Sequence, residues 1–236
     1  MVETTLEKLE LPEPPNTPEL RKKAKRRKLV DRILEVTFVV LMLVGTFYLF
    51  VHSYYTSVWI DGSSMAPTLL NYEYGLMNTH ASRINQIKRY SIIVAVDNMN
   101  VTVAKRVIGL PGETILIEDG GSNVDTITIT ANGETFVLDE TPIPLEKRFG
   151  TYNHGVFAQN EPLVLGEDEY FLMGDNRPSS ADSRARGPIH YDQIMGVLFV
   201  IEGIADRIYV ETVDDQSKTI FENRKLYPFW EFRFYY

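Results

Sequence analysis

An almost unbroken apolar segment runs from Ile33 to Tyr55, interrupted by Glu35 near its start and His52 near its end. Its length is close to the ~20 residues that a helix needs to cross a bilayer. A buried core helix is one alternative, but such a helix is rarely apolar on all sides beside a block of cations. A cleavable signal sequence is another, but no small-x-small site follows the segment. The sequence therefore predicts an uncleaved membrane anchor.

A basic block lies just before this segment. It consists of Arg21, Lys22, Lys23, Lys25, Arg26, Arg27 and Lys28. Because positively charged flanks stay in the cytoplasm, we expect residues 1–32 inside, residues 33–55 in the membrane, and residues 56–236 as an extracytoplasmic domain. The first twenty residues are rich in proline and glutamate and lack apolar periodicity, so we expect residues 1–32 to be a disordered, basic tail.

Composition excludes several kinds of chemistry. Cysteine is absent, which rules out disulfides, thiolate metal sites and cysteine nucleophiles, and only four histidines are present as imidazole ligands. Nine of the 24 basic residues and seven of the 32 acidic residues precede residue 52, so the remaining chain carries a formal charge of about −10. That charge disfavours nucleic acid as a partner.

The segment after the anchor predicts a mainly β fold, because short runs rich in Val, Ile, Thr, Phe and Tyr alternate with Gly, Pro, Asn and Asp. The clearest predicted strands are Ser91–Val96, Val101–Ile108, Thr114–Glu118, Asp125–Thr130, Glu134–Leu138, Tyr170–Met173 and Ile194–Ile201. The Ala131-Asn132-Gly133 step predicts a hairpin, since Asn and Gly accept the positive φ of tight turns.

Two further regions of this domain are distinctive. Residues 113–169 are rich in turns and contain none of the motifs described below, so they predict a β-rich subdomain inserted into the core. The aromatic run Tyr227–Tyr236 predicts a closing strand, with contact to lipid as the alternative.

The first motif is Asp61-Gly62-Ser63-Ser64-Met65-Ala66-Pro67-Thr68-Leu69, which begins a few residues beyond the anchor. A reactive serine here would lie close to the bilayer surface. Taken alone, Gly-Ser-Ser followed by Pro is most often only a turn.

The second motif is the run Val101–Gly112, which contains Ala104-Lys105-Arg106-Val107-Ile108-Gly109. Alternation along a strand places Lys105 on one face with Val101, Val103 and Val107. An apolar face favours the neutral amine, and lowering a lysine pKa from ~10.4 to near 7 corresponds to roughly 4 to 5 kcal/mol. Such an amine can accept a serine proton. The alternative is a lysine whose amine reaches solvent, which is the usual case.

The third motif is Gly174-Asp175-Asn176-Arg177-Pro178-Ser179-Ser180-Ala181-Asp182-Ser183-Arg184, which follows an apolar strand. Its carboxylates and guanidiniums predict an ion-paired turn, in which Asp182 pairs with Arg184 near Asp175. Ser180 is a candidate to orient a neighbouring amine. The arginines argue against a calcium loop.

The three motifs, in this order after an N-terminal anchor, resemble those of bacterial type I signal peptidases. The resemblance extends from the anchor to about Gly196, and Ser-Met-x-Pro-Thr, Lys-Arg-Val-Ile-Gly-Leu-Pro-Gly and Gly-Asp-Asn-Arg with Ser-x-Asp-Ser-Arg are highly specific in combination. It implies a signal-peptidase-like β-barrel or sheet core. It also implies a membrane serine endopeptidase that cuts signal peptides from exported preproteins through an acyl-enzyme, without a metal or organic cofactor.

The resemblance also implies roles for individual residues. Ser64 would be the nucleophile and Lys105 its general base, a dyad instead of a His-bridged triad. Ser180 would position the lysine amine, and Asp175, Asp182 and Arg184 would stabilise the surrounding loop.

Two aspects of the resemblance concern the substrate and the oxyanion. The family's small substrate pockets, which select small residues at positions −1 and −3, correspond to Ile60, Met65, Leu69, Val103 and Ala104. Some members add an oxyanion-binding hydroxyl two residues before the nucleophile, where this chain has Gly62, so the second donor is left open between Ser63, another backbone group and water. The family's Gly-Asp before the following strand is replaced here by Tyr90-Ser91.

Partners follow from the same resemblance: exported preproteins, the lipid bilayer and, as a candidate, the secretion machinery. Self-cleaving repressors of the DNA-damage response share the dyad and a related β fold, but they are soluble and lack an anchor. A nonenzymatic accessory for pilus or surface-protein assembly is the second alternative, and such proteins typically lack the serine or the lysine.

Overall fold

The protein is described here from a computed structural model. The described residues are 18–81, 87–118, 120, 125–141, 143–148, 160–205, 207–213, 216–222, 224–228 and 231–235. The expected disorder of residues 1–17 lies outside them. The chain divides into two compact units, residues 1–51 and 52–236.

Helix α1 extends from Pro18 to Tyr54 and contains the apolar segment. Proline suits a helix start because its missing N–H needs no partner there. Lys and Arg are good helix formers, so the basic block is part of the helix, and residues 18–32 are helical where we expected a disordered tail. Among the described residues, α1 is the one helix long and apolar enough to cross a bilayer, with a mean hydropathy of 2.2 over an 18-residue window.

Fifteen strands follow in the described part of the chain. They are β1 (Tyr55–Trp59), β2 (Glu73–Asn78), β3 (Ile92–Val96), β4 (Thr102–Gly109), β5 (Thr114–Glu118), β6 (Thr126–Ala131), β7 (Glu134–Val137), β8 (Leu163–Val164), β9 (Glu169–Met173), β10 (Ile189–His190), β11 (Ile194–Ile204), β12 (Arg207–Val213), β13 (Gln216–Glu222), β14 (Lys225–Leu226) and β15 (Arg233–Phe234). A second helix, α2, is the single turn Ser183–Arg186. The prediction of a mainly β fold behind one apolar helix is confirmed.

The strands form three antiparallel sheets. The largest has the order β1-β2-β11-β3-β4-β9-β10, and β14 and β15 also pair with the long strand β11. A second sheet has the order β7-β6-β5-β8, and β12 pairs with β13 as a hairpin. All strands of the second sheet lie within residues 113–169.

Both faces of the large sheet are buried around β3. Ile92 and Val94 belong to one apolar cluster, and the alternate residues Ile93 and Ala95 belong to another. This follows from the two-residue period of a strand, which sends neighbouring side chains to opposite faces. The adjacent strand β4 therefore passes through an interior that is covered on both sides.

The second sheet packs through an isoleucine face. Ile115 and Ile117 of β5 and Ile127 and Ile129 of β6 are all buried, together with Phe171 of β9. The β6–β7 hairpin turns at two residues with positive φ, 52° at Asn132 and 83° at Gly133. The predicted hairpin is therefore confirmed, and Asn and Gly are the residue types that a tight turn with positive φ favours.

Gly75 on β2 is a position where the fold leaves no room for a side chain. An added Cβ would lie 1.8 Å from the Val200 carbonyl oxygen of β11. We expect Gly75→Ala to force β2 and β11 apart and to lower the free energy of unfolding by about 1–3 kcal/mol or more. Denaturant unfolding of the detergent-solubilised protein measures this. The control is Gly166→Ala, whose Cβ would meet only the flexible Glu169 side chain, at 3.3 Å. Equal stability of the two variants would contradict the expectation.

Candidate active site

Ser64 lies in the loop between β1 and β2, and two apolar residues anchor that loop. Met65 and Leu69 are buried beside it, with exposed fractions of 2% and 0%. The Leu69 N–H donates to the Met65 carbonyl at 3.0 Å, and the Ala66 N–H donates to the Ser63 carbonyl at 3.1 Å. Ser64 itself is half-buried. Its hydroxyl is thus presented at the surface by a turn that is fixed in the core.

Lys105 lies on β4 opposite Ile93 of β3 and is the first residue of β4 that is buried. Its exposed fraction is 4%. The Nζ atom lies 2.7 Å from Ser64 Oγ and also donates to the Ala104 carbonyl at 3.1 Å. The structure therefore brings together the serine and the lysine that the sequence predicted as a dyad.

Burial lowers the pKa of the Lys105 amine from its usual value of 10.5. The carboxylate of Asp182 acts in the opposite direction, and the guanidinium of Arg184 acts in the same direction as burial. Since these two charges pair with each other, their influences on the amine partly cancel, and desolvation dominates. A neutral amine has a lone pair that can accept the Ser64 proton.

The loop after β9 closes directly onto Ser64. A Cβ at Gly174 would lie 2.4 Å from the Ser64 carbonyl oxygen and 2.2 Å from Ser180 Oγ, so only glycine allows this approach. The Asn176 N–H then donates to the Ser64 carbonyl at 3.0 Å, and Asn176 Nδ2 donates to the Ser63 carbonyl at 3.1 Å. Asn176 therefore fixes the backbone on both sides of Ser64.

The predicted pair of Asp182 and Arg184 is present and fully buried. Arg184 Nε donates to Asp182 Oδ1 at 2.8 Å, and its Nη2 donates to Oδ2 at 2.7 Å. Burial alone would raise the pKa of Asp182, but the hydrogen bonds and charge of Arg184 outweigh it and lower that pKa. Asp182 Oδ2 also accepts the Gly174 N–H at 2.9 Å. The pair thus braces the loop that closes on Ser64.

Two further ion pairs connect this loop to its surroundings. Asp175 accepts two hydrogen bonds from Arg106 of β4, with Nε to Oδ1 at 2.7 Å. Arg177, which has no exposed side chain, pairs with Glu140 from the segment after β7. Burial raises the pKa of Glu140, an effect that the charge of Arg177 counteracts. The network therefore joins the second sheet, β4 and the loop.

Ser180 and Ser63, also predicted for the site, occupy different environments. Ser180 is buried, and a hydrogen bond from its hydroxyl to Asp182 contributes to the lowered pKa of that carboxyl. Lys105 Nζ forms hydrogen bonds with Ser64 and with the Ala104 carbonyl, so the positioning role of Ser180 stays a prediction. Ser63 is exposed beside the nucleophile.

A cleft of about 620 Å³ opens over Ser64 and Lys105. Four of the five predicted substrate-contacting residues line it: Ile60, Met65, Val103 and Ala104. Leu69 does not, because it is fully buried and packs in the core below the cleft. In the part of the chain that the structure describes, no group of three or more His, Asp or Glu residues is placed to hold a metal ion.

Arg106, Asn176, Arg177 and Glu140 were not predicted as site residues. Arg106 and Arg177 were visible inside the motifs, and a buried arginine requires an acidic partner. Glu140 carried no local signal, because its partner lies 37 residues away in the sequence. Asn176 acts through backbone carbonyls of another loop, a contact that no spacing rule reveals.

Comparison with known proteins supports an assignment. Residues 31–202 match the family described as Signal peptidase, peptidase S26. A signal peptidase IB from Staphylococcus aureus is 31% identical over 180 residues, covering 72% of this chain and 87% of the relative. A signal peptidase I P from Bacillus subtilis subsp. natto is 30% identical over 192 residues, covering 80% of this chain and 96% of the relative.

A crystal structure of a signal peptidase I from Enterococcus faecalis is also similar in sequence, with 34% identity. The match covers 48% of this chain and 96% of that one, and its TM-score of 0.37 is too low to carry a comparison of folds. The sequence matches define the class, which is that of signal-peptide-processing proteases.

The chain belongs to the peptidase S26 family of signal peptidases. The family predicted from the three motifs is therefore confirmed, and with it a protease of the signal peptidase I type. Signal peptidases I are membrane-associated, and helix α1 is the candidate span.

Buried Lys105 makes stability depend on pH in a defined direction. Between the lowered pKa of the folded state and 10.5, the unfolded chain holds a proton that folding must release. This cost shrinks as the pH rises towards 10.5. We expect Lys105→Met to raise the free energy of unfolding by about 1–3 kcal/mol at pH 7 and by less at pH 10.

Denaturant unfolding at both pH values measures this difference. Lys88→Met is the matched control, because Lys88 is an exposed lysine of the same domain. A stabilisation by Lys105→Met that is the same at pH 7 and pH 10 would show that the amine is not desolvated in the folded protein.

Proposed function

We propose that this chain is a membrane-bound serine endopeptidase that removes signal peptides from exported preproteins, with Ser64 as nucleophile and Lys105 as general base. The observation that carries the proposal is the 2.7 Å distance between Lys105 Nζ and Ser64 Oγ. Burial lowers the pKa of that amine, which favours the neutral form that a base requires. The accessory alternative predicts a missing serine or lysine, and both are present.

The reaction proceeds through two proton cycles of the same amine. Neutral Lys105 Nζ takes the Ser64 hydroxyl proton while Oγ bonds to the scissile carbonyl carbon. The ammonium returns that proton to the departing amide nitrogen, the C–N bond breaks, and the mature protein leaves with a new N-terminus. Lys105 then takes a proton from water, whose oxygen attacks the carbonyl carbon of the Ser64 ester. The bond from that carbon to Oγ breaks, the ammonium returns the proton to Ser64 Oγ, and the signal peptide leaves as a carboxylic acid that ionises to the carboxylate.

The oxyanion of each tetrahedral intermediate needs hydrogen-bond donors near Ser64. The Ser64 N–H donates to no other group among the described residues, so it is available for this role. The Gly62 N–H is engaged, because it donates to Asn71 Oδ1 at 2.8 Å. The exposed Ser63 hydroxyl remains as the neighbouring donor, and one such donor is worth ~3 kcal/mol of barrier.

Substrate binding follows from two strand edges beside the cleft. β1 is the edge strand of the large sheet, and β4 pairs with β9 only from Arg106 onwards, so Thr102–Lys105 has an open edge on that side. An extended peptide can add main-chain hydrogen bonds to these edges. Ile60, Met65, Val103 and Ala104 leave space for small side chains, which accounts for the proposed selection at positions −1 and −3.

The anchor places this chemistry at a membrane. We propose that residues 33–55 span the bilayer, that the basic block stays cytoplasmic, and that residues 56–236 form the extracytoplasmic catalytic domain with residues 113–169 as an inserted subdomain. The signal peptide's apolar stretch would remain in the bilayer while its C-terminal end enters the cleft. Exported preproteins and lipid are thus the proposed partners, with the secretion machinery as a further candidate.

Removing either member of the dyad tests the mechanism. We expect Ser64→Ala and Lys105→Ala each to reduce cleavage of a purified preprotein in detergent by about 10³-fold or more, because neither residue works without the other. Gel analysis of the processed product measures the rate. Lys88→Ala, at an exposed position of the same domain, serves as the matched control. Undiminished cleavage by either dyad variant would contradict the proposed Ser64–Lys105 mechanism.

Protease protection tests the orientation. With an N-terminal tag, we expect protease added to intact spheroplasts to digest the domain and to leave a tagged fragment of about the first 55 residues. Permeabilised spheroplasts should lose the tag as well. Protection of the domain with loss of the tag in intact spheroplasts would mean the opposite orientation.

A further inference from the structure

The C-terminal part of the chain returns to the serine loop. We call its described residues, 225–228 and 231–235, the C-terminal clasp. Two short strands attach the clasp to β11, with Lys225 opposite Ile204 and Phe234 opposite Val200. The Tyr235 N–H also donates to the Phe199 carbonyl at 2.9 Å. The clasp lies beyond residues 31–202, which match the family, so family membership does not account for it.

Two side chains of the clasp converge on one carbonyl of the serine loop. Arg233 Nη1 donates to the Thr68 carbonyl at 2.7 Å, and the Tyr235 hydroxyl donates to the same oxygen at 3.2 Å. Thr68 belongs to the turn that begins at Ser63 and ends at Leu69. The clasp is therefore hydrogen-bonded to the C-terminal end of the turn that carries Ser64.

The clasp also neutralises a buried carboxylate just after this turn. Glu73 is 1% exposed and accepts the Leu70 N–H at 2.7 Å. Arg233 forms an ion pair with Glu73, and the Tyr227 hydroxyl donates to Glu73 Oε1 at 2.9 Å. Without the clasp, Glu73 would lose its two side-chain partners, and a buried charge without a partner is strongly unfavourable.

Packing links the clasp to the same turn. Tyr227 and Tyr235 pack against the apolar cluster that contains Met65 and Leu69. The side chains that anchor the Ser64 turn from below are therefore covered in part by clasp aromatics. Hydrogen bonds, an ion pair and apolar packing therefore all connect the C-terminal clasp to the turn that carries Ser64.

We propose that the C-terminal clasp positions Ser64 for attack, holding the downstream end of its turn while Asn176 holds the backbone on both sides of Ser64. Arg233 and Tyr235 are then positioning residues, which act through the Thr68 carbonyl and touch no substrate. The proposal rests on the proposed function of Ser64 as nucleophile. A turn fixed at both ends keeps Oγ in reach of Lys105 Nζ, and small displacements of reacting groups have large effects on rate.

The test compares Tyr235→Phe, Arg233→Ala and the double variant with wild type in preprotein cleavage. We expect the double variant to lower kcat about tenfold to hundredfold with KM within about twofold, because substrate contacts are unchanged. Arg233→Lys, which keeps a cationic donor, should recover part of the loss. Leu226→Ala is the matched control, since Leu226 is an exposed residue of the same clasp.

Hydrogen exchange gives a readout that is independent of activity. We expect peptides covering residues 63–70 to exchange faster in the clasp variants, while peptides from β5 and β6 exchange as in wild type. Unchanged kcat and unchanged exchange at residues 63–70 overturn the proposal. Faster exchange throughout the domain also overturns it, because the clasp would then only stabilise the fold.

Two further comparisons separate a failure of the clasp proposal from a failure of folding or of the proposed function. If the double variant does not fold, Tyr235→Phe decides by the same criteria, since it removes a single oxygen atom and keeps the packed ring. Ser64→Ala is run in the same assay. If Ser64→Ala retains activity, the proposed function fails, and if Ser64→Ala is inactive while the clasp variants are fully active, the clasp proposal fails alone.

Discussion

The domain depends on one contact, the hydrogen bond between a buried lysine amine and a half-buried serine hydroxyl. An amine in an apolar interior is costly to keep charged, and β4 carries Lys105 to the point where both faces of the sheet become covered. Two polar partners remain there, Ser64 Oγ and the Ala104 carbonyl. The same burial that disfavours the charged amine favours the neutral form that the proposed general base requires, so a position unfavourable for stability suits the proposed chemistry.

Buried charges near this amine come in compensated pairs. Asp182 with Arg184 and Asp175 with Arg106 each place one positive and one negative group together, which limits the net field at Lys105. Such pairs contribute little net stability, since desolvation offsets their attraction. Their consequence is geometric: they fix the loop on which Asn176 reaches the Ser64 carbonyl. The same two ion pairs thus keep the surroundings of Lys105 close to neutral and hold the loop after β9 in place.

Local patterns in the sequence predicted the β class and the apolar helix, and the resemblance of three motifs to a known family predicted that Ser64 and Lys105 act together. The alternation of side chains along β4 and the turn at Asn132-Gly133 are both determined by residues that are adjacent in the sequence. Strands β1 and β2 were not predicted, because β2 contains Gly75 and ends at Asn78, and β1 directly follows the apolar helix. Contacts such as Glu140 with Arg177 join segments far apart in the chain, so only the folded structure shows them. The start of helix α1 at Pro18 was not predicted, because the prolines that precede it were interpreted as a sign of disorder.

The departure at Gly62 has a structural reason. Its φ of +113° lies in a region that residues with a side chain rarely adopt, and its N–H is held by Asn71. The turn into Ser64 therefore uses position 62 for backbone geometry, and a hydroxyl residue there would strain the loop. In the proposed mechanism, oxyanion stabilisation then falls to the Ser64 N–H and its immediate neighbours. That arrangement works only if the backbone is held still, which is why constraints on this loop from Asn176 and from the distant C-terminal clasp matter more than an additional side chain would.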